Sequence, residues 1–293
     1  MSTFTPAQAA DLFRADPERF LDVGAGKAAY RRVGHGPDVL FVHGWPVSGA
    51  TFRTLLPHLV DHVTCHVIDL PGAGSSRFRA DTRVTFEQHI ASVRRIVDLL
   101  SLDEYAVVGH DSGGMIVRHA VVGDPRLRAM GLVNTEQPQG LTIRFKILVW
   151  AARLPGFGAG LGWVAVKPRL RRNRFVLGGA FADPSGLDGE FEEFFLRPLH
   201  DDSERRAAAA RLGRSFDARH VRELADVHAR LDVPVQLVWG DRDPFFPVER
   251  ARAMVGTFPD ARLTVVEGAG VFAHEERPSE VAEALLPVLA GTR

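Results

Sequence analysis

The sequence predicts an α/β fold: a mostly parallel central sheet with helices on both faces and one inserted helical cap. Three observations lead there. Short, β-branched apolar runs alternate with helical patterns at both ends of the chain. The alternation stops between residues 137 and 226, a stretch rich in arginine and glycine and mostly helical in pattern. At "YAVVGHDSGGMIV" a buried strand runs through a glycine-flanked turn directly into a helix.

In chain order, "AAYRRVG" and "DVLFVHG" read as neighbouring strands, "GATFRTLLPHLVD" as a helix, and "VTCHVIDLPG" as a strand ending in a turn. "TFEQHIASVRRIVDLLSL" is an amphipathic helix with Ile90, Val93, Ile96, Val97 and Leu100 on one face. "RAMGLVNTE" is the strand that precedes the interruption. After it come the strand "VPVQLVWGDRD", the helix "PVERARAMVGTF", the strand "ARLTVVEG" and the helix "PSEVAEALLPVLA". The expected division is a first core part over 1–136, a helical cap over 137–226 and a second core part over 227–293. Such a cap would lie over the carboxyl ends of the strands, where open α/β sheets bind ligands.

Composition excludes several function classes. The 293 residues are 45% apolar and 25% charged with a formal net charge of zero, so no global basic surface points to nucleic acid. Cys65 is the single cysteine, which excludes an internal disulfide and a cysteine-rich metal site; in "VTCHVIDL" it reads as a packing residue. The first residues lack the basic start and apolar run of a signal peptide, and no stretch approaches a membrane span. A cytoplasmic protein without cofactor or metal is expected. Its partner would be a small apolar organic substrate rather than nucleic acid or a membrane, and a homodimer is left open.

The turn in "GHDSGG" has the form G-x-nucleophile-x-G. Gly109 and Gly113 flank it because side chains there would crowd a sharp turn, and Asp111 stands at its centre. The bland alternative is a strand–helix turn in which Asp111 caps the helix. A carboxylate nucleophile implies attack on a saturated carbon, displacing a halide or opening an epoxide to leave an alkyl ester on the enzyme. Water then hydrolyses that ester through a tetrahedral oxyanion, which needs preorganised donors. The backbone N–H of Ser112 is one candidate and that of Trp45, in "FVHGWPVSG", is the other. His43 reads as a support for that turn. The Trp45 indole either faces the cavity, offering its N–H to a leaving group, or packs.

"HGWP", "DLPGAGSS", "GHDSGG" and "WGDRDPFFP" together resemble the α/β-hydrolase fold, specifically its aspartate-nucleophile branch of epoxide hydrolases and dehalogenases. The resemblance covers the core and fades in the cap. It implies Asp243 as the acid that orients a histidine base, with Glu136, at the end of "GLVNTE", as the alternative acid. It also implies a histidine after "GAG", and there the chain has Val271, followed by Phe272. Valine cannot activate water. The chain is then a disabled variant, an enzyme that moved its base to His274, or a protein doing something other than hydrolysis, such as a rearrangement, a cyclisation or ligand binding. His110 on the elbow reads as structural. The cap tyrosines of epoxide hydrolases have no counterpart, since the tyrosines are Tyr30 and Tyr105. The residue after the elbow aspartate is Ser112, neither the tryptophan common in haloalkane dehalogenases nor the arginine of haloacid enzymes. Val271, Phe272, Trp45, Trp150 and Trp163 are expected to wall an apolar pocket, with His43 and His110 beside it.

Overall fold

Apolar runs too continuous for a one-sided sheet require cover on both faces, and the computed structural model, which describes residues 4–291, has that arrangement. Eight strands form one sheet: β1 (Arg19–Asp22), β2 (Lys27–Gly34), β3 (Asp38–Val42), β4 (Thr64–Asp69), β5 (Tyr105–His110), β6 (Leu127–Val133), β7 (Val235–Gly240) and β8 (Ala261–Val266). Their order is β1-β2-β4-β3-β5-β6-β7-β8. β2 is antiparallel to β1 and to β4, and every pairing from β4 through β8 is parallel. Every residue of β4, β5 and β7 is buried, whereas β8, at the sheet edge, alternates.

The twofold period of the strands divides the core in two. Leu40, Val107 and Leu237 face one cluster, which contains Ile90, Val93 and Ile116. Phe41, Val108 and Val238 face the other, with Val281, Ala282 and Leu285. The helices that supply these residues are α2 (Phe86–Leu100) and α3 (Ser112–Val121) on the first face and α13 (Pro278–Leu289) on the second. Thr85 caps α2 by accepting the N–H of Gln88 at 3.2 Å.

Two elements were not anticipated. Helix α1 (Pro6–Arg14) starts on a capping box between Thr5 and Gln8, and the four-residue β1 is too short to leave a periodic pattern. Two expectations are corrected. β2 and β3 are not neighbours in the sheet: β4 lies between them, antiparallel to β2 and parallel to β3. The helix read over "GATFRTLLPHLVD" is two short 3-10 turns, Gly49–Phe52 and Leu56–His58. Pro57 lacks the N–H that a continuous helix would use, so the apolar spacing serves separate turns.

Between β6 and β7 the described chain has no strand. It holds α4 (Ile143–Ala152), α5 (Phe157–Ala165), α6 (Pro168–Arg171), α7 (Arg197–Asp201), α8 (Ser203–Arg214), α9 (Ala218–Arg222) and α10 (Leu224–His228). The last two pack against α3, and His228 Nε2 bonds to Arg118 of α3 at 2.9 Å. The remaining helices, α11 (Val248–Val255) and α12 (Ala273–Glu276), flank β8 in sequence. No single helix among the described residues is long and apolar enough to cross a membrane.

The β5–α3 turn is packed without slack. A Cβ at Gly113 would lie 2.3 Å from the Val42 carbonyl oxygen and 2.4 Å from that of His43, and one at Gly109 would lie 2.6 Å from the Gly114 Cα. These neighbours are backbone of the central strand β3, of the turn after it and of α3, so they cannot swing aside. Gly113→Ala is therefore expected to destabilise the fold by about 3 kcal/mol, the upper part of the range for overpacking, measured by urea unfolding against the parent chain.

Candidate active site

Asp111 sits at the apex between β5 and α3 with φ 51° and ψ −135°, a left-handed backbone that a non-glycine residue adopts at a cost. The turn lifts its carboxylate out of the sheet edge. Oδ2 accepts the backbone N–H of Trp45 at 2.8 Å and the Ser112 hydroxyl at 3.3 Å. The backbone N–H of Ser112 also favours the ionised form, but burial outweighs these donors and pushes the carboxyl up to about 6.

Asp111 faces a cavity of about 900 Å³ whose floor is the core and whose roof is the segment between β6 and β7. Its wall is apolar apart from Asp111, Ser112, Glu136 and Arg144 and the indoles of Trp45 and Trp163. Phe145, Leu148, Leu161 and Phe216 contribute from above, Phe245, Val271 and Phe272 from below. Phe272 is braced from behind, stacked on Phe181 at 4.9 Å and edge-on to Phe191 at 5.0 Å.

Glu136, just beyond β6, shares this cavity. It is 1% exposed. Oε2 accepts the Thr135 hydroxyl at 3.0 Å, while Oε1 has no partner among the described residues. Burial and the nearby Asp111 charge push its carboxyl up to about 8, against the pull of Arg118. Arg118 is itself fully buried beneath the pair, donating to the Glu136 carbonyl and Thr135 Oγ1, both at 2.8 Å. Both carboxyls are raised by burial in one apolar cavity, which disfavours ionising the two together, and the backbone donors at Asp111 favour the charge there. Sequence reasoning missed Arg118 and Thr135; the signal was an arginine inside the otherwise apolar "MIVRHAVV".

Asp243 lies in the turn after β7. Oδ1 accepts the N–H groups of Phe245 and Phe246 at 2.8 and 2.9 Å, and Oδ2 accepts the Asn134 amide at 2.7 Å. Burial raises its carboxyl to about 7. No histidine bonds to it among the described residues. Val271 directs its side chain into the cavity wall, while its N–H donates to the Ala180 carbonyl and its carbonyl accepts from His110 Nε2 at 3.0 Å.

Several expected site residues stand outside the wall, among them His274, the residue expected to replace the missing base. His274 is fully buried away from the cavity, with Nε2 bonded to Thr51 Oγ1 at 2.8 Å and its ring 4.3 Å from that of His110. Burial first, then the neighbouring His110 and Arg53, holds it neutral. His110 is committed to Val271, and His43 donates through Nδ1 to the Gly44 carbonyl and accepts the Leu70 N–H at Nε2. The Trp45 ring lines the cavity, but its indole N–H already donates to the Ala209 carbonyl at 2.8 Å. Trp163 is in the wall; Trp150 points outward at 62% exposure.

A mostly parallel sheet with a strained strand–helix apex and a backbone N–H aimed at the apex carboxylate is an α/β-hydrolase-like arrangement. The chain belongs to the alpha/beta hydrolase fold family, whose model matches residues 37–278. Among curated relatives, the pimeloyl-(acyl-carrier protein) methyl ester esterase of Xanthomonas campestris is 26% identical over 86% of this chain and 95% of its own. Two solved structures share the fold: the epoxide hydrolase CorEH, with TM-score 0.77 and 20% identity over 94% and 99% of the two chains, and the ancestral haloalkane dehalogenase AncHLD2, with TM-score 0.75 and 21% identity over 93% and 98%.

The raised carboxyl of Glu136 makes stability pH-dependent. Its folded value, about 8, lies above the ordinary 4.5, so the unfolded chain releases this proton first as pH rises. The stabilisation is complete below about 4.5 and is lost as pH climbs towards about 8. Glu136→Gln is expected to flatten this slope, so that its melting temperature relative to the parent rises between pH 5 and pH 9. An unchanged slope would mean that Glu136 is ionised in the fold.

Proposed function

We propose that this protein hydrolyses apolar epoxides through an ester on Asp111, with Glu136 moving the protons that a histidine would otherwise handle. The observation that carries this reading is Glu136 Oε1, a buried oxygen without a partner in the same apolar cavity as Asp111. Displacing a halide needs no proton donor, whereas opening an epoxide leaves an alkoxide that does. A carboxyl that keeps its proton near neutral pH supplies one where the cap tyrosines have no counterpart.

In this mechanism Asp111 Oδ1 attacks a ring carbon, the ring C–O bond breaks, and the departing oxygen takes the Glu136 proton. The products are a hydroxyalkyl ester on Asp111 and an ionised Glu136. The Asp111 charge that held Glu136 protonated is now gone, so Glu136 is free to act as a carboxylate base. It takes a proton from water as the water oxygen attacks Cγ of the ester. The oxyanion forms at Oδ2, against the N–H groups of Trp45 and Ser112. Collapse releases the diol, its oxygen carrying away the proton of the new Asp111 acid. Asp111 ends ionised and Glu136 protonated, and the net change is epoxide plus water to diol. The helical segment above the cavity acts as a cap that keeps bulk water from the ester, and Asp243 with Asn134 stabilises the wall beside Val271.

With an apolar epoxide, one turnover in oxygen-18 water is expected to place label in Asp111, because water attacks Cγ. Asp111→Asn should neither turn over nor gain mass. Glu136→Gln should lower kcat by about 10²–10⁴-fold, the usual range for proton-transfer catalysis, because ring opening then lacks its proton donor and ester hydrolysis its base. Full activity in Glu136→Gln would remove Glu136 from the mechanism. Loss of substrate without label in Asp111 would favour a rearrangement in the same cavity. The pH profile of kcat/KM should be bell-shaped, rising as Asp111 ionises near about 6 and falling as Glu136 loses its proton near about 8.

A further inference from the structure

Every large apolar side chain that is exposed among the described residues lies between Ile143 and Val176. Ile143, Ile147, Trp150 and Leu154 follow one another at helical spacing along α4 and just beyond it, at 78%, 60%, 62% and 41% exposure. Trp163 of α5 and Phe175 and Val176, after α6, complete the set, with Phe175 at 92%. Such a concentration on one stretch of chain is not the scattered exposure normal for a globular surface. Ile143, Ile147, Trp163, Phe175 and Val176 also line the cavity that holds Asp111. Side chains that are both exposed and part of the wall mark its mouth, so the cavity opens onto this apolar rim.

Charge is segregated in the same place. Although the chain is formally neutral, residues 137–182 contain no aspartate or glutamate, but carry Arg144, Lys146, Arg153, Lys167, Arg169, Arg171, Arg172 and Arg174. Arg171 and Arg172 pair with Asp188, and Arg144 lies over the Phe245 ring. Lys146, Arg153, Lys167, Arg169 and Arg174 are exposed and make no ion pair among the described residues.

We propose that this face docks on the surface of an anionic phospholipid membrane, with the rim of the cavity mouth in the headgroup layer, so that an apolar substrate enters directly from lipid. Aromatic and aliphatic tips beside long basic side chains are the composition of an interfacial helix. Lys and Arg reach phosphate while their stems lie along apolar groups. A second copy fits less well, because a twofold contact would set two arginine-rich, acid-free collars against each other. The docking is peripheral and concerns α4, α5 and the turn after α6, not a span. It does not depend on the chemistry at Asp111.

The test is co-sedimentation of the full chain with vesicles, comparing phosphatidylcholine alone with phosphatidylcholine and phosphatidylserine in a two-to-one ratio. Binding is expected to the mixed vesicles, with a blue shift of tryptophan emission, and to weaken as salt is raised. Trp150→Ser combined with Phe175→Ser should reduce binding about tenfold or more, and Lys167→Glu with Arg169→Glu should abolish the preference for the anionic vesicles. Both double variants change exposed side chains, and an unchanged circular dichroism melt confirms that they fold. Asp111→Asn should bind as the parent does, so failure of the catalytic reading leaves this result intact. The proposal is overturned if the parent binds neither vesicle at low salt. It is equally overturned if it sediments as a dimer that Trp150→Ser with Phe175→Ser converts to monomer while vesicle binding is absent.

Discussion

The sharp turn at Asp111 is the constraint on which the rest of the site depends. A non-glycine residue held at φ 51° persists only where its surroundings leave no alternative. Here β5 is buried on both faces, α3 starts immediately, and Gly113 sits against the carbonyls of β3 and its following turn. The same closeness brings the Trp45 N–H within 2.8 Å of the Asp111 carboxylate. The oxyanion donors in the proposed mechanism are thus fixed by packing of the central sheet, and the cavity needs no further device to place them.

Burial then sets the protonation states. An apolar wall disfavours ionisation of any carboxyl, and Asp111, Glu136 and Asp243 are all pushed upward. They separate because their partners differ. Asp111 is met by the backbone N–H groups of Trp45 and Ser112, whereas Glu136 has the Thr135 hydroxyl and its own backbone N–H and faces the Asp111 charge. Arg118 moderates the group from below while spending its own donors on the Glu136 and Gly114 carbonyls, Thr135 and His228. Its burial ties α3, the end of β6 and α10 into one unit, which gives the arginine in an apolar helix a structural reason.

The segment between β6 and β7 closes the cavity from one side and meets solvent on the other. Trp45 shows how it is attached: its backbone N–H serves Asp111 while its indole donates to Ala209 and its ring stacks on Phe157 at 6.3 Å. Apolar side chains of α4 and α5 beyond those needed for this roof remain outside, at the mouth. A segment with low polarity on both sides would be a liability on an ordinary surface. Here its basic residues stand beside that apolar surface, and the neutral total charge conceals the asymmetry.

The sequence by itself determined the sheet, its parallel core and the elbow, because strand burial and turn sterics are local and periodic. "YAVVGHDSGG" allows few backbones, and Val271 after "GAG" is read directly. The likeness of "HGWP" and "GHDSGG" to the hydrolase fold implied that Trp45, Asp111 and Ser112 come together, and the Trp45 N–H does lie 2.8 Å from the Asp111 carboxylate. Tertiary structure decided what depends on neighbours far apart in the chain. His274 lies three residues beyond Val271 yet turns into the core to meet Thr51, because the start of α12 is packed under the 3-10 turn of Gly49–Phe52. Trp150 and Trp163 look alike in sequence, and only the 113° bend between α4 and α5 shows which of them reaches the cavity. Glu136 could be read as a strand-end carboxylate but not as a protonated one, since its state follows from the Asp111 charge beside it and from burial under a helical segment that no local pattern locates.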